Sequence, residues 1–190
     1  PQTLLAPPAL KAVHPLGKSP VVQVDGEVLA ESGAIIETLA ERLGNGRLLP
    51  APGTPAATRC RYWLHYAEGS LMPLLLMKLV FNSLGKPPVP FGLRTLGKAL
   101  GQGVQKAYLN RQLETHAHFI NDHLAENSWF AGDTLTMADI QMSFPLFALL
   151  ARGGIDNLDH IAAWKQRVEA RPGWQTTLAK GGPLTIPGEG

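Results

Sequence analysis

The sequence predicts a small mixed α/β unit followed by an all-α unit, and three features carry that reading. A β-branched run turns on Asp25-Gly26, a proline-rich stretch follows near residue 50, and beyond it apolar residues recur at helical spacing. A chain of 190 residues allows one large or two small domains. At that length it buries enough surface to hold a core without a disulfide or a metal. With 45% hydrophobic and 17% charged residues, it is neither disordered nor collagen-like.

The first unit changes texture quickly. Leu4, Leu5 and Ala9 to Val13 fit a short helix or a loop, and His14 to Lys18 (HPLGK) is broken by Pro and Gly. Val21 to Val24 and Val28 to Ala30 read as two strands. The Asp25-Gly26 dipeptide between them supplies the positive φ values of a type I′ turn, so Pro20 to Ala30 is a hairpin. Ser32 then precedes Ile35, Ile36, Leu39, Ala40 and Leu43 at helical spacing, with Gly44 as the C′ residue.

GRLLPAPGTP, from Gly46 to Pro55, holds three prolines and two glycines with little periodicity, which is the texture of a linker. The expected boundaries are therefore 1–45 for the first unit, 46–54 for the linker and 55–190 for the helical unit. Thr54-Pro55 supplies an N-cap and a proline at the helix position where a missing N–H costs nothing. From there a long helix is expected from Ala56 to about Phe81, kinked at Pro73, which cannot donate to the carbonyl of Gly69. KPPVPF at Lys86 to Phe91 ends it. A second long helix, Arg94 to about Ala125, carries Leu96, Leu100, Val104, Tyr108, Leu113, Ala117, Ile120 and Leu124 along one side. Thr136 and Asp139 form a capping box, with Leu135 and Ile140 as a hydrophobic staple, opening the next helix. Ile155 to Ala170 and a short segment after Pro172 read as two more helices.

Several function classes are excluded. The net charge is only +2, and Arg94, Lys98, Lys106 and Arg111 are spaced out with few stacking aromatics, so nucleic acid is not the expected partner. The one cysteine, Cys60, rules out intramolecular disulfides and multi-cysteine metal motifs, fits a reducing, cytoplasmic compartment, and reads as a packed residue. The apolar run Leu71 to Phe81 is interrupted by Pro73 and Lys78 and is shorter than the ~20 residues a bilayer span needs. Pro1 to Leu10 has no basic stretch ahead of an apolar run and does not read as a signal peptide. His116, His118 and His123 share a helix without i, i+4 spacing; no metal is expected, and they read as surface residues.

The residues that could carry chemistry are HPLGKSP, at His14 to Pro20, and Glu31-Ser32. A proline entering a strand leaves an edge to which an extended peptide can pair. Glu31-Ser32 opens a helix, where free N–H groups favour an anion and the carboxylate favours an ammonium. The α-carboxylate and α-amine of an amino acid need that combination. Taken alone, the same residues also fit an ordinary N-cap at Ser32, a solvated acid at Glu31 and a trans bond before Pro20.

HPLGKSPVVQVDGEVLAESGAI, the proline-rich linker, RYWLHYAEGSLMP at Arg61 to Pro73 and WFAGDTLTMADI at Trp129 to Ile140 together resemble the cytosolic glutathione S-transferases, most closely their bacterial and fungal branch. The resemblance covers nearly the whole chain. It implies a thioredoxin-like N-terminal domain, of which residues 1–45 are the latter part, an all-α C-terminal domain and a homodimer. It further implies an enzyme that binds reduced glutathione and transfers its thiolate to a small apolar electrophile; no cofactor is expected beyond glutathione as co-substrate. A non-catalytic module of the same fold, for ligand binding or protein interaction, is the alternative.

By the resemblance, Pro20 is a cis-proline and Ser19 offers its backbone to the cysteinyl part of glutathione. Glu31 and Ser32 hold the γ-glutamyl amine and carboxylate, and Lys18 stands at a further glutathione contact. Tyr62, His65, Tyr66, Gly69 and Met72, on the first long helix, fit the core or a dimer interface as well as the electrophile pocket, and Tyr66 and Met72 are the pocket residues preferred among them. The family's thiolate-stabilising Tyr, Ser or Cys lies in an N-terminal βαβ unit, a segment of roughly 30 residues or more. That residue is expected upstream of position 1.

Overall fold

The computed structural model describes residues 6–186. Leu4 and Leu5, expected to belong to the opening segment, lie outside the described residues. α1 (Pro8–Val13) is short and contributes no buried residue. β1 (Val21–Val24) and β2 (Glu27–Ala30) pair antiparallel, with Val21 opposite Ala30 and Val24 opposite Glu27. Asp25 at φ 50° and Gly26 at φ 84° provide the two left-handed positions that a tight hairpin turn requires. α2 (Ser32–Leu43) turns Ile35 and Ala40 inward.

Residues 44–54 contain neither helix nor strand, and Thr54 then caps α3 (Pro55–Tyr66) by accepting the Ala57 N–H at 3.2 Å. The expected long helix does not simply kink. It passes through a π turn at Ala67–Leu71, in which the Met72 N–H reaches back to the Ala67 carbonyl, and continues as α4 (Met72–Ser83). Pro73 has no N–H for the Gly69 carbonyl, so the ladder changes register one residue before it.

A second π turn, Gln105–Leu109, separates α5 (Arg94–Val104) from α6 (Asn110–Glu126). Here the expected apolar face is corrected. Leu113, Ala117, Ile120 and Leu124 are buried, but Leu96, Leu100, Val104 and Tyr108 are exposed. α5 instead meets the end of α4 through glycines. A Cβ at Gly97 would lie 2.2 Å from the Leu84 carbonyl oxygen, and one at Gly101 2.3 Å from that of Phe81. Backbone contact that close requires glycine, and it turns the leucines outward.

α7 (Met137–Arg152) is the central helix, packed on α2, α3, α4 and α8. Its capping box is formed. Asp139 Oδ2 accepts the Thr136 N–H at 2.9 Å and its hydroxyl at 3.2 Å, while Oδ1 accepts the Phe130 N–H at 3.0 Å and the Trp164 Nε1–H at 3.1 Å. α8 (Asp159–Glu169) starts later than its sequence pattern indicates, because Asn157 sits at φ 61° and cannot continue a helix. Its first N–H groups are satisfied from a distance: Asn121 Oδ1, on α6, accepts those of His160 at 3.1 Å and Ile161 at 3.3 Å. α9 (Pro172–Gly181) follows. Among the described residues no helix is long and apolar enough to cross a membrane.

The core joins Cys60, Trp63 and Tyr66 of α3 to α6, α7 and α8. The three histidines read as surface residues are in fact half-buried. His116 Nδ1 pairs with the Tyr66 hydroxyl, whose proton burial holds on well above the ordinary phenol range. His123 Nε2 meets the Phe130 carbonyl oxygen at 3.0 Å. Burial lowers the pKa of both imidazoles. Such a base binds fewer protons folded than unfolded just below the ordinary value near 6.5, so stability falls as pH drops through it. The urea midpoint is expected to be lower at pH 5.5 than at 7.5, with a smaller drop in His123→Gln; an equal drop in that variant would remove His123 from the account. Asp139→Ala strips the acceptor from four buried donors and is expected to cost roughly 3 kcal/mol or more in urea unfolding. A loss under 1 kcal/mol would mean those donors find other partners.

Candidate functional site

Four segments converge on a cavity of about 500 Å³. The first is the turn after α1, which carries His14 and Leu16 and is held by the Gly17 N–H donating to the His14 carbonyl at 2.8 Å. At φ 58°, and with a Cβ position only 2.6 Å from that of Ala6, Gly17 must be glycine. The chain then presents Lys18, Ser19 and Pro20 to the cavity, with a cis peptide between Ser19 and Pro20.

The second segment is the junction of β2 and α2, which adds Ala30, Glu31, Ser32 and Ile36. Ser32 is not the N-cap. It is the first helical residue, and Glu31 occupies the cap position at φ 71°, ψ 119° without a side-chain cap hydrogen bond. That backbone conformation is costly for a residue with a Cβ. It frees the Glu31 carboxylate and the Ser32 hydroxyl from capping, so both remain available at the helix N-terminus.

The helical unit closes the cavity with two more segments. Glu68 and Met72 come from the π turn and the start of α4, and Ile140, Gln141 and Phe144 from α7. Gln141 is buried and bridges the two units, its Nε2 donating to Ser32 Oγ at 2.8 Å and to Glu68 Oε1 at 2.8 Å. Burial raises the Glu68 pKa most, the Gln141 hydrogen bond lowers it, and the negative charge of Glu31 raises it again. The lining is thus mixed: Lys18, Ser19, Glu31, Ser32, Glu68 and Gln141 are polar, and Leu16, Pro20, Ile36, Met72, Ile140 and Phe144 are apolar.

Lys18, Ser19, Pro20, Glu31, Ser32 and Met72 are therefore brought together, and Tyr66 is not among them. Tyr66 is turned into the α3–α6 interface beside His116, and its remaining edge borders a separate, open depression with Tyr62, His65, Gly69 and Ser70. Tyr66 ends α3 and Met72 opens α4 beyond the π turn, and the two border different depressions. Glu68, Ile140, Gln141 and Phe144 have no site role in the sequence pattern and join the lining only through the fold. The Ile140/Phe144 spacing marks one face of α7, but only the docking of α7 on α2 shows that this face meets the cavity.

The comparisons with known proteins agree across both units. The family model described as "Glutathione S-transferase, N-terminal domain" matches residues 1–42, and that described as "Glutathione S-transferase, C-terminal domain" matches residues 75–172. Glutathione S-transferase 3 of Schizosaccharomyces pombe is 33% identical over 180 residues, spanning 92% of this chain and 72% of the relative. The chain belongs to the glutathione S-transferase family. The crystal structure of a glutathione S-transferase from Actinobacillus pleuropneumoniae superimposes with a TM-score of 0.69 at 30% identity, covering 92% of this chain and 74% of the other. A sphingomonad glutathione S-transferase complexed with glutathione has the same fold, with a TM-score of 0.67 at 22% identity over 89% of this chain and 76% of its own. The hairpin and α2 are thus the thioredoxin-like part, and α3 to α9 the all-α domain of a glutathione S-transferase fold.

The strained Glu31 of this glutathione S-transferase yields a stability prediction. Glycine adopts φ 71° without penalty, so Glu31→Gly is expected to raise the unfolding free energy by about 1 kcal/mol. A urea midpoint at or below that of the wild type would show that Glu31 is not strained.

Proposed function

We propose that the cavity binds reduced glutathione and presents its thiolate to a small apolar electrophile. The observation that carries this reading is the meeting of Lys18, Ser19, Pro20, Glu31 and Ser32 at one cavity that also has apolar lining residues. A tripeptide with a charged amino-acid end suits the polar groups. There the N-terminus of α2 and the Ser32 hydroxyl favour a carboxylate, and Glu31 favours an ammonium. The main chain at Ser19 is the partner for the cysteinyl residue, and Lys18 adds positive charge near the peptide. Membership of the family supports the same ligand, as does the fold shared with the glutathione-bound sphingomonad protein.

The apolar lining residues Met72, Ile140, Phe144, Leu16 and Ile36 are the ones assigned to the electrophile in this reading. A free thiol has a pKa near 8.5, so reaction at neutral pH needs a donor or positive potential that populates the thiolate. Among the described residues the cavity wall holds no tyrosine or cysteine, and none of them takes that role in this reading. A homodimer in a cytoplasmic setting completes it. The exposed Tyr62 and the open depression beside it offer a face for a second copy, and the buried, unpaired Cys60 suits a reducing compartment.

Two measurements test the reading. The protein is expected to bind glutathione in isothermal titration and to conjugate it to 1-chloro-2,4-dinitrobenzene. Glu31→Ala is expected to weaken glutathione binding by about tenfold or more; unchanged affinity in that variant would remove Glu31 from the site. Binding without turnover on any electrophile would favour the non-catalytic module. Light scattering behind size exclusion is expected to report a dimer, and a monomer at micromolar concentration would overturn that part.

A further inference from the structure

Between Gly69 and Leu113 the chain holds six Lys and Arg residues and no Asp or Glu. The other eleven Lys and Arg stand against all fifteen Asp and Glu, so the net charge of +2 conceals a cationic segment in an otherwise anionic chain. That segment runs from the first π turn through α4, α5 and the second π turn into α6. α4 and α5 pack antiparallel as a hairpin, with Gly101 against Phe81 and Gly97 against Leu84. No residue of 76–100 is buried, so the end of this hairpin stands out from the core.

The tip of the hairpin is apolar and cationic at once. Phe91 is 85% exposed, Leu93 55% and Leu96 60%. The Arg94 guanidinium lies 5.8 Å from the centre of the Phe91 ring, and its Nε donates to the Val89 carbonyl at 2.8 Å. Lys86 and Lys98 are exposed beside it, and a Cβ at Gly85 would come within 3.0 Å of the Lys98 Cβ, which sets Lys98 against the turn. Main-chain bonds hold the turn, from the Lys86 N–H to the Ser83 carbonyl at 2.9 Å and from the Val89 N–H to the Lys86 carbonyl at 3.1 Å. Among the described residues the salt bridges are Arg42–Glu27 and Lys165–Glu169, so none of these cations is paired.

Charge decides what such a tip can meet. A second copy brings the same cations, and a twofold contact here would set like charges against each other. The depression beside Tyr62, offered above as a face for a second copy, is also remote, since Tyr62 and Ser83 are about 30 Å apart along the helix. An acidic protein would have to cover Phe91, Leu93 and Leu96 with a matching recess. A bilayer needs no recess: it takes projecting apolar side chains into its headgroup–acyl boundary and draws cations to anionic headgroups. We propose that the α4–α5 tip is a peripheral docking surface for an anionic phospholipid bilayer. Phe91, Leu93 and Leu96 enter the interface, and Lys86, Arg94 and Lys98 meet the headgroups. Contact of this kind lies on a membrane and requires no spanning helix. It does not depend on the glutathione reading.

Co-sedimentation of the full chain with vesicles tests the proposal. Vesicles of phosphatidylcholine alone are compared with vesicles of phosphatidylcholine containing about 30% phosphatidylserine. The protein is expected to pellet with the anionic vesicles and to stay in solution with the neutral ones, and raising the salt from about 0.1 M to about 0.5 M is expected to weaken the binding. Phe91→Ser and the double variant Lys86→Glu, Lys98→Glu are each expected to lose about tenfold or more in vesicle affinity. Their circular dichroism melts are expected to match the wild type, because the replaced side chains are exposed. Absence of binding to the anionic vesicles, or equal binding to both kinds, would overturn the proposal. Wild-type binding in Phe91→Ser would also overturn it, since the contact would then be one of charge alone, as with any acidic protein or polymer. A change from dimer to monomer in Phe91→Ser, read by light scattering in a protein that binds no vesicles, would give the tip to a second copy instead.

Discussion

The carboxylate of Asp139 is the interaction on which the rest of the arrangement depends. It is buried, and a buried carboxylate is tolerated only when its oxygens are fully engaged. Burial pushes its pKa up, against hydrogen bonds from Thr136, Phe130 and Trp164 that pull it down. Those partners come from the cap of α7, the loop before it and α8, so one side chain ties three parts of the helical domain together. It also sets where α7 begins and which way its first turns face. The Met137 N–H, two residues earlier, donates to the Leu48 carbonyl at 3.1 Å and fixes that end of α7 to the chain leaving α2. Ile140 and Gln141 follow Asp139 directly, so the helical wall of the cavity is positioned by the same anion.

The cavity belongs to neither unit alone. The first unit supplies main chain, a hydroxyl and Glu31 held in a costly conformation; the second supplies Glu68, Gln141 and the apolar Met72, Ile140 and Phe144. The Gln141–Ser32 hydrogen bond crosses between them, and α2 rests on α7. Docking of the units and completion of the site are therefore one event. A ligand that bridges both walls stabilises the docked arrangement in proportion to its affinity. Pro145 adds to this by position: it has no N–H for the Gln141 carbonyl, so α7 lacks one of its own hydrogen bonds at the residue that makes the bridge.

What could be read from the sequence is what short-range chemistry decides. Asp25-Gly26, Thr54-Pro55 and Thr136 with Asp139 each act within a few residues, and each forms the turn or cap its pattern predicts. The elements that differ are those decided by partners far along the chain. α8 starts where Asn121 receives its N–H groups, α5 turns its leucines outward because Gly97 and Gly101 admit α4 so closely, and Tyr66 is drawn toward His116, 50 residues away. Gln141 and Ser32 are 109 residues apart, and nothing local to either residue signals the bond between them. The motif at Glu31-Ser32 could be recognised but not its mechanics, since the pattern fits a Ser32 cap while the backbone makes Glu31 the cap residue.

The polar and apolar lining residues differ in how firmly they are held, and that difference bears on what each can select. Ser32 and Glu68 are both hydrogen-bonded by the buried Gln141, so these polar groups present a defined set of donors and acceptors. A ligand lacking the matching atom forfeits those directional contacts. The side chains of Leu16, Ile140 and Phe144 are substantially exposed and have no directional contact to fix them. Apolar contact of that kind distinguishes shapes only weakly, since adding or removing a methylene changes binding by about 1–3 kcal/mol. A cavity lined in this way discriminates more sharply through its hydrogen-bonding groups than through its apolar ones.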